Sequence, residues 1–179
     1  MPAPRTATSQ LRAFQVLAAA LMSALVVIAI ALSFVLTGGT RSTRSGHRVQ
    51  THPPQLWVYL VVLGLGLASA LLVQLVGYRI APVSPSADPA AAARTGVARY
   101  QGAMVLRFAL IEAVPIITIA LSFAIAANTV LPYLVAAAVA LVLMYVHVWP
   151  SERLIAKVEA ILDRQGGRSQ LSATLRGTG

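Results

Sequence analysis

The run Leu17–Leu36 is twenty residues long, uncharged and apolar but for Ser23 and Ser33, and that leaves the chain few ways to fold. A helix of that length rises 1.5 Å per residue and covers the ~30 Å hydrocarbon core of a bilayer. Within that core only structures that satisfy their own backbone hydrogen bonds persist. Three more apolar stretches follow, at 56–77, 104–128 and 133–149. The whole chain is 58% hydrophobic and only 11% charged, whereas soluble domains carry roughly 25% charged residues. The expected fold is all-α: a polytopic membrane protein with four transmembrane helices, arranged as two antiparallel hairpins, plus a C-terminal amphipathic helix.

The charge balance, 14 Lys+Arg against 5 Asp+Glu, would suggest nucleic acid in a soluble protein. Here the basic residues flank apolar spans, so membrane orientation and anionic lipid account for them, and no nucleic-acid partner is expected. The expected partners are the lipid bilayer and either further copies of the chain or a membrane complex. Absence of cysteine excludes thiolate catalysis and thiolate metal sites, and the three histidines are scattered. No metal, cofactor or enzyme activity is expected, since no nucleophile–base pair stands out. All but one of the basic residues are arginine and alanine is abundant, a composition of GC-rich bacterial coding, which places the protein in a bacterial plasma membrane.

In chain order, residues 1–16 form a basic tail, and 17–36 a first span, read as a retained helix because it exceeds the 7–15 residues of a signal-peptide core. Residues 37–55 form an external loop with Arg41, Arg44 and Arg48, closed by Pro53-Pro54. The second span, 56–77, contains Gly64, Gly66, Ala68 and Ala70, small residues at every second position and at i, i+4, a spacing that lets another helix approach. Residues 78–103 hold Pro82, Pro85 and Pro89 and then the start of a helix that enters the third span, 104–128. Only 129–132 separates this from the fourth, 133–149, so the two are antiparallel neighbours. Residues 151–165 place Leu154, Ile155, Val158, Ile161 and Leu162 on one face, with Ser151 as cap and Gly166 as stop. The helix is expected to lie on the membrane surface or against a partner. Residues 166–179 are read as a disordered tail. The first and third spans share Ile-Ala-Leu-Ser-Phe, at 30–34 and 119–123, as an internal repeat would. Eleven basic residues lie in the N-terminus, second loop and C-terminal region, three in the first loop and none in the third, so both termini are expected in the cytoplasm.

Glu112 is the only acid inside an apolar span. An ionisable group there costs about 3 kcal/mol on insertion scales and marks a functional candidate. Three readings stand: Glu112 binds a proton or ligand, it pairs with Arg107 or a polar group on a neighbouring helix, or it sits in a shallow wetted position. Arg107 lies five residues earlier, about 7.5 Å along the axis, and either snorkels to water or turns back to Glu112. Pro115 frees the Ile111 carbonyl and is expected to kink the helix within one turn of the acid. His147, beside Tyr145 and Trp149, is either an interface residue or a proton partner of Glu112. Thr118 and Ser122 either bond backbone carbonyls or line a path.

Around Arg107-Phe-Ala-Leu-Ile-Glu112-Ala-Val-Pro115-Ile-Ile, the sequence resembles the ion-carrying helix of rotary ATP synthase c subunits, and the Gly64-x-Gly66-x-Ala68-x-Ala70 stripe is similar to that family's glycine stripe. The resemblance covers about 60–128. It implies proton binding at Glu112 and close helix packing at Gly64, Gly66, Ala68 and Ala70. This chain departs from a two-helix c subunit by a helix on each side and by the prolines at 82–89. The remaining functional readings are a small proton-coupled transporter and a non-catalytic membrane scaffold or accessory subunit.

Overall fold

The computed structural model describes residues 8–38, 55–124 and 130–177, which are helical with no strand among them. The elements are α1 (Thr8–Gly38), α2 (Leu56–Leu75), α3 (Pro89–Ala124), α4 (Leu131–His147), α5 (Glu152–Asp163) and α6 (Leu171–Arg176). Three helices, α1 to α3, are long and apolar enough to cross a membrane, and a fourth crossing is reached if the bent α4–α5 pair is taken as one span. Most of the first loop, 39–54, and residues 125–129 before α4 fall outside the described residues.

Local chemistry sets the helix limits. Asp88 caps α3, its Oδ2 accepting from the Ala91 amide at 3.1 Å, and Pro89 occupies the first helical position, where a missing N–H costs nothing. The helix therefore starts well before its apolar part, as expected from the sequence. α4 ends at His147 because Pro150 follows closely, and the chain turns by 60° into α5. The Ser151 hydroxyl accepts from the Leu154 amide at 3.3 Å, capping α5 as its sequence position suggests.

The buried residues of α2 are Val58, Val62, Gly66, Ser69 and Val73, a stripe at helical spacing. The Ser69 hydroxyl donates to the Leu110 carbonyl at 2.9 Å, while Tyr78, just past α2, lies against Arg107. Later residues of α2 thus meet earlier residues of α3, and the two are antiparallel. Gly66 against Val139 and Tyr78 against His147 make α2 and α4 parallel, so α3 runs against both. The helix α1 is peripheral: among its described side chains it buries only Phe14, Ala18 and Leu25, and it packs on α4 and α6. Among the described residues α1 and α2 do not form a packed counterpart of the α3–α4 pair.

Two expectations about the C-terminal region are corrected. The apolar face of α5 is covered by the chain itself, not by lipid or a partner: Ile155, Val158 and Leu162 share one core with Ile80, Val83, Ala92, Leu171 and Leu175. Residues 166–177 are an ordered part of that cap, not a disordered tail, with Leu171 and Leu175 fully buried on α6. Two hydrogen bonds hold the segment: Ser169 N donates to Asp163 Oδ1 at 2.7 Å and Val83 N to the Leu162 carbonyl at 2.8 Å. Gly166 ends α5 with φ +85°, the left-handed conformation glycine adopts without strain. Arg99 closes the proline segment over the cap by donating to the carbonyls of Ala81 and Pro82, at 2.8 and 2.7 Å. The core continues from the cap through Tyr100 and Met104 into the bundle, so cap and helices share one interior.

Leu171→Ala is expected to cost about 2–5 kcal/mol, the range for emptying a buried leucine site. It should speed tryptic cleavage after Arg164 and Arg168 in detergent, measured against the intact chain by mass spectrometry. An unchanged cleavage rate would mean that α6 contributes nothing to the cap.

Candidate functional site

Glu112 sits half-buried on α3, beside the core stripe Tyr100, Met104, Arg107, Ile111, Val114 and Thr118 and not on it. Its carboxylate forms no ion pair or hydrogen bond among the described residues. It lies within Coulombic reach of Tyr133 on α4, whose hydroxyl donates to the Leu25 carbonyl of α1 at 3.3 Å. The helix is continuous through Pro115. Thr118 and Ser122 bond the carbonyls four residues back, Val114 and Thr118, both at 2.8 Å. Their hydroxyls are thereby engaged locally, the first of the two roles expected for them.

The pairing of Arg107 with Glu112 is not formed. Positions five apart point about 140° away from each other around a helix, and Arg107 falls on the core stripe while Glu112 does not. Nor does Arg107 snorkel to water, since its side chain is 0% exposed. Its Nε donates to the Ala103 carbonyl at 3.1 Å, and its guanidinium carbon lies 4.9 Å from the Tyr78 ring centre, a cation–π arrangement. Among the described residues Nη1 and Nη2 have no hydrogen-bond partner of good geometry, the Tyr78 side chain being the nearest polar group to favour the charged guanidinium. Gly77 makes room for the arm, because a Cβ there would come 2.6 Å from Arg107 Cγ.

Around this arginine the structure assembles a cluster that sequence reading did not. The Tyr78 hydroxyl and His147 Nδ1 are hydrogen-bonded at 3.0 Å. Lys157 Nζ of α5 stands 3.7 Å from the centre of the same Tyr78 ring and reaches Gln74 Oε1 at 3.5 Å. Tyr100, two turns before Arg107 on α3, is fully buried, and its hydroxyl has no hydrogen-bond partner among the described residues. His147 is thus committed to Tyr78 and not to Glu112. The one sequence signal for the cluster was the phase of Arg107, which shares helical spacing with Tyr100, Met104 and Ile111.

The small-residue stripe divides between two faces. Residues two apart differ by about 200° around a helix, so Gly66 packs inward while Gly64 and Ala68 face outward and Ala70 is half-buried. A Cβ on Gly66 would come 2.7 Å from Val139 Cγ1, whereas one on Gly64 would meet nothing within 4 Å. Close packing therefore falls to Gly66, with Ser69 completing the inward face. No group of three or more metal-ligating side chains occurs among the described residues.

Gly66→Val is expected to destabilise the α2–α4 contact by about 1–3 kcal/mol through overpacking. Gly64→Ala should be neutral or stabilising by up to about 1 kcal/mol, through helix propensity. Thermal unfolding of both variants in the same detergent checks the contrast, and equal effects would contradict the division of the stripe.

No protein-family model matches the chain, and searches of curated proteins and of solved structures find no match.

Proposed function

We propose that the chain is a c-subunit-like integral membrane protein in which Glu112 takes up and releases a proton within the bilayer. The observation that carries this reading is the carboxylate's lack of any ion pair or hydrogen bond among the described residues, with Arg107 directed to Tyr78. A carboxylate clamped by arginine is held ionised, whereas one without a cation is free to change protonation state. The resemblance around 107–117 adds the same assignment. The protein crosses a bacterial plasma membrane four times, α4 forming the fourth span with its 17 residues, near the lower limit for spanning. Both termini are cytoplasmic. Supporting this, Arg79, Arg94, Arg99, Arg153, Lys157, Arg164, Arg168 and Arg176 belong to the cap and its segments, and α1 packs on α6 at the same end as Arg12.

A second reading, a non-catalytic scaffold or accessory subunit, is favoured by the folded cap, which offers an ordered surface at one end of the bundle. A third reading, a small proton-coupled transporter, differs from the first in assembly: a large ring in mild detergent suits a rotor-like protein, a dimer a transporter.

A hydrophobic carbodiimide reacts with protonated carboxyls in apolar surroundings. In lipid it should modify Glu112, with labelling that falls as pH rises, and Glu112→Gln should abolish the modification. Absence of labelling across neutral pH, with Glu112→Gln folding normally, would remove the proton reading and leave the scaffold.

A further inference from the structure

Among the described residues the fully buried guanidinium of Arg107 forms no ion pair with any acid. The five acidic residues are Asp88, Glu112, Glu152, Glu159 and Asp163. Asp88 caps α3, Asp163 accepts from the Ser169 amide, and Glu152 pairs with Arg176 at 3.1 Å. Neither Glu112 nor Glu159 forms an ion pair among the described residues. What surrounds Arg107 is instead further positive or neutral: Lys157 over the same Tyr78 ring, His147 on the Tyr78 hydroxyl, and Tyr100 with an unused O–H.

Arginine keeps its proton under these conditions. A buried cation with two unsatisfied nitrogens is costly unless an opposite charge and hydrogen-bond acceptors meet it. The Nη atoms and the Tyr100 hydroxyl are donors in want of acceptors, and the paired N–H groups of a guanidinium suit the oxygens of a phosphate. The cluster sits where α2 and α4 end and the cap begins; with the helices spanning a bilayer as proposed above, on which this inference rests, that end lies at the level of the headgroup phosphates. Lys157, exposed at this point, marks the side from which the cluster meets its surroundings.

We propose that Arg107, Tyr100, Tyr78 and Lys157 form a binding site for one phosphate group supplied from outside the chain, with Nη1, Nη2 and the Tyr100 hydroxyl as its inner donors. The site is independent of the role given to Glu112. Its phosphate comes from an anionic phospholipid headgroup or from free phosphate, and the experiment separates these sources.

The full-length protein, purified in a phosphate-free maltoside detergent, is titrated with phosphatidylglycerol in one arm and with inorganic phosphate in the other. Melting temperature and native mass spectrometry are the readouts. Binding raises the melting temperature in proportion to the logarithm of ligand concentration above saturation. A rise with phosphatidylglycerol and retention of one lipid per chain identifies a headgroup site. A rise with phosphate alone identifies a free-phosphate site. Arg107→Met and Tyr100→Phe should each lose most of the rise, and Lys157→Gln, at the surface, should weaken it. In the absence of either ligand Arg107→Met should melt no lower than the parent, because it removes an unpaired buried charge. No rise in either arm, or an equal rise in parent and Arg107→Met, would overturn the site. If Arg107→Met fails to fold, the Tyr100→Phe and Lys157→Gln pair decides: an undiminished rise in both likewise overturns it.

Discussion

A single buried cation organises the junction between the long apolar helices and the cap. Arg107 lies in the middle of α3, inside the bundle, and its surroundings must accept its arm and its charge. Gly77 supplies the space, the Tyr78 ring the polarisable face, and the Ala103 carbonyl a hydrogen bond to Nε. His147 and Lys157 then fix Tyr78 from α4 and α5. Arg107 of α3, His147 of α4 and Lys157 of α5 thus converge on Tyr78, and the direction Arg107 takes leaves Glu112 without a cation among the described residues. The two charged residues that the sequence places a turn and a half apart serve different neighbours.

Away from this junction, the chain follows the rules of an apolar solvent. Large residues such as Val27, Ile30, Leu63, Leu67, Ile116 and Val142 remain exposed on the helices, as they should where lipid takes the place of water. Inside, contacts rely on small residues: Gly66 against Val139, and Ala136, Ala137 and Ala140 along the buried face of α4. Polar side chains within the bundle spend their hydroxyls on backbone carbonyls, as Ser33, Ser69, Thr118, Ser122 and Tyr133 do. The cap obeys the other regime, with an amphipathic α5 whose apolar face closes on α6 and the proline segment.

Much of this was legible in the residues. Run length and hydropathy marked the apolar helices, Pro89 and Ser151 their starts, and Gly166 the end of α5, because each rests on local chemistry. What escaped depended on helical phase or on distant partners. The alternation of Gly64, Gly66, Ala68 and Ala70 looked like one stripe, yet a helix spreads it over opposite faces. Leu171 and Leu175 form one turn too short to show a period, and α6 exists through burial against Ile155, Val158 and Leu162. For Glu112 the sequence offered both a proton site and an ion pair with Arg107. Only the geometry around Tyr78 separates the two residues.

Arg107 and Glu112 are neighbours along α3 that do not form an ion pair. A dipolar-recoupling measurement by solid-state NMR, between the guanidinium nitrogens of Arg107 and the carboxyl carbon of Glu112 in lipid bilayers, tests this most directly. With the guanidinium turned to Tyr78, no dephasing of the strength an ion pair gives is expected. A nitrogen–carboxylate separation within about 4 Å, the limit of such a pair, would contradict it.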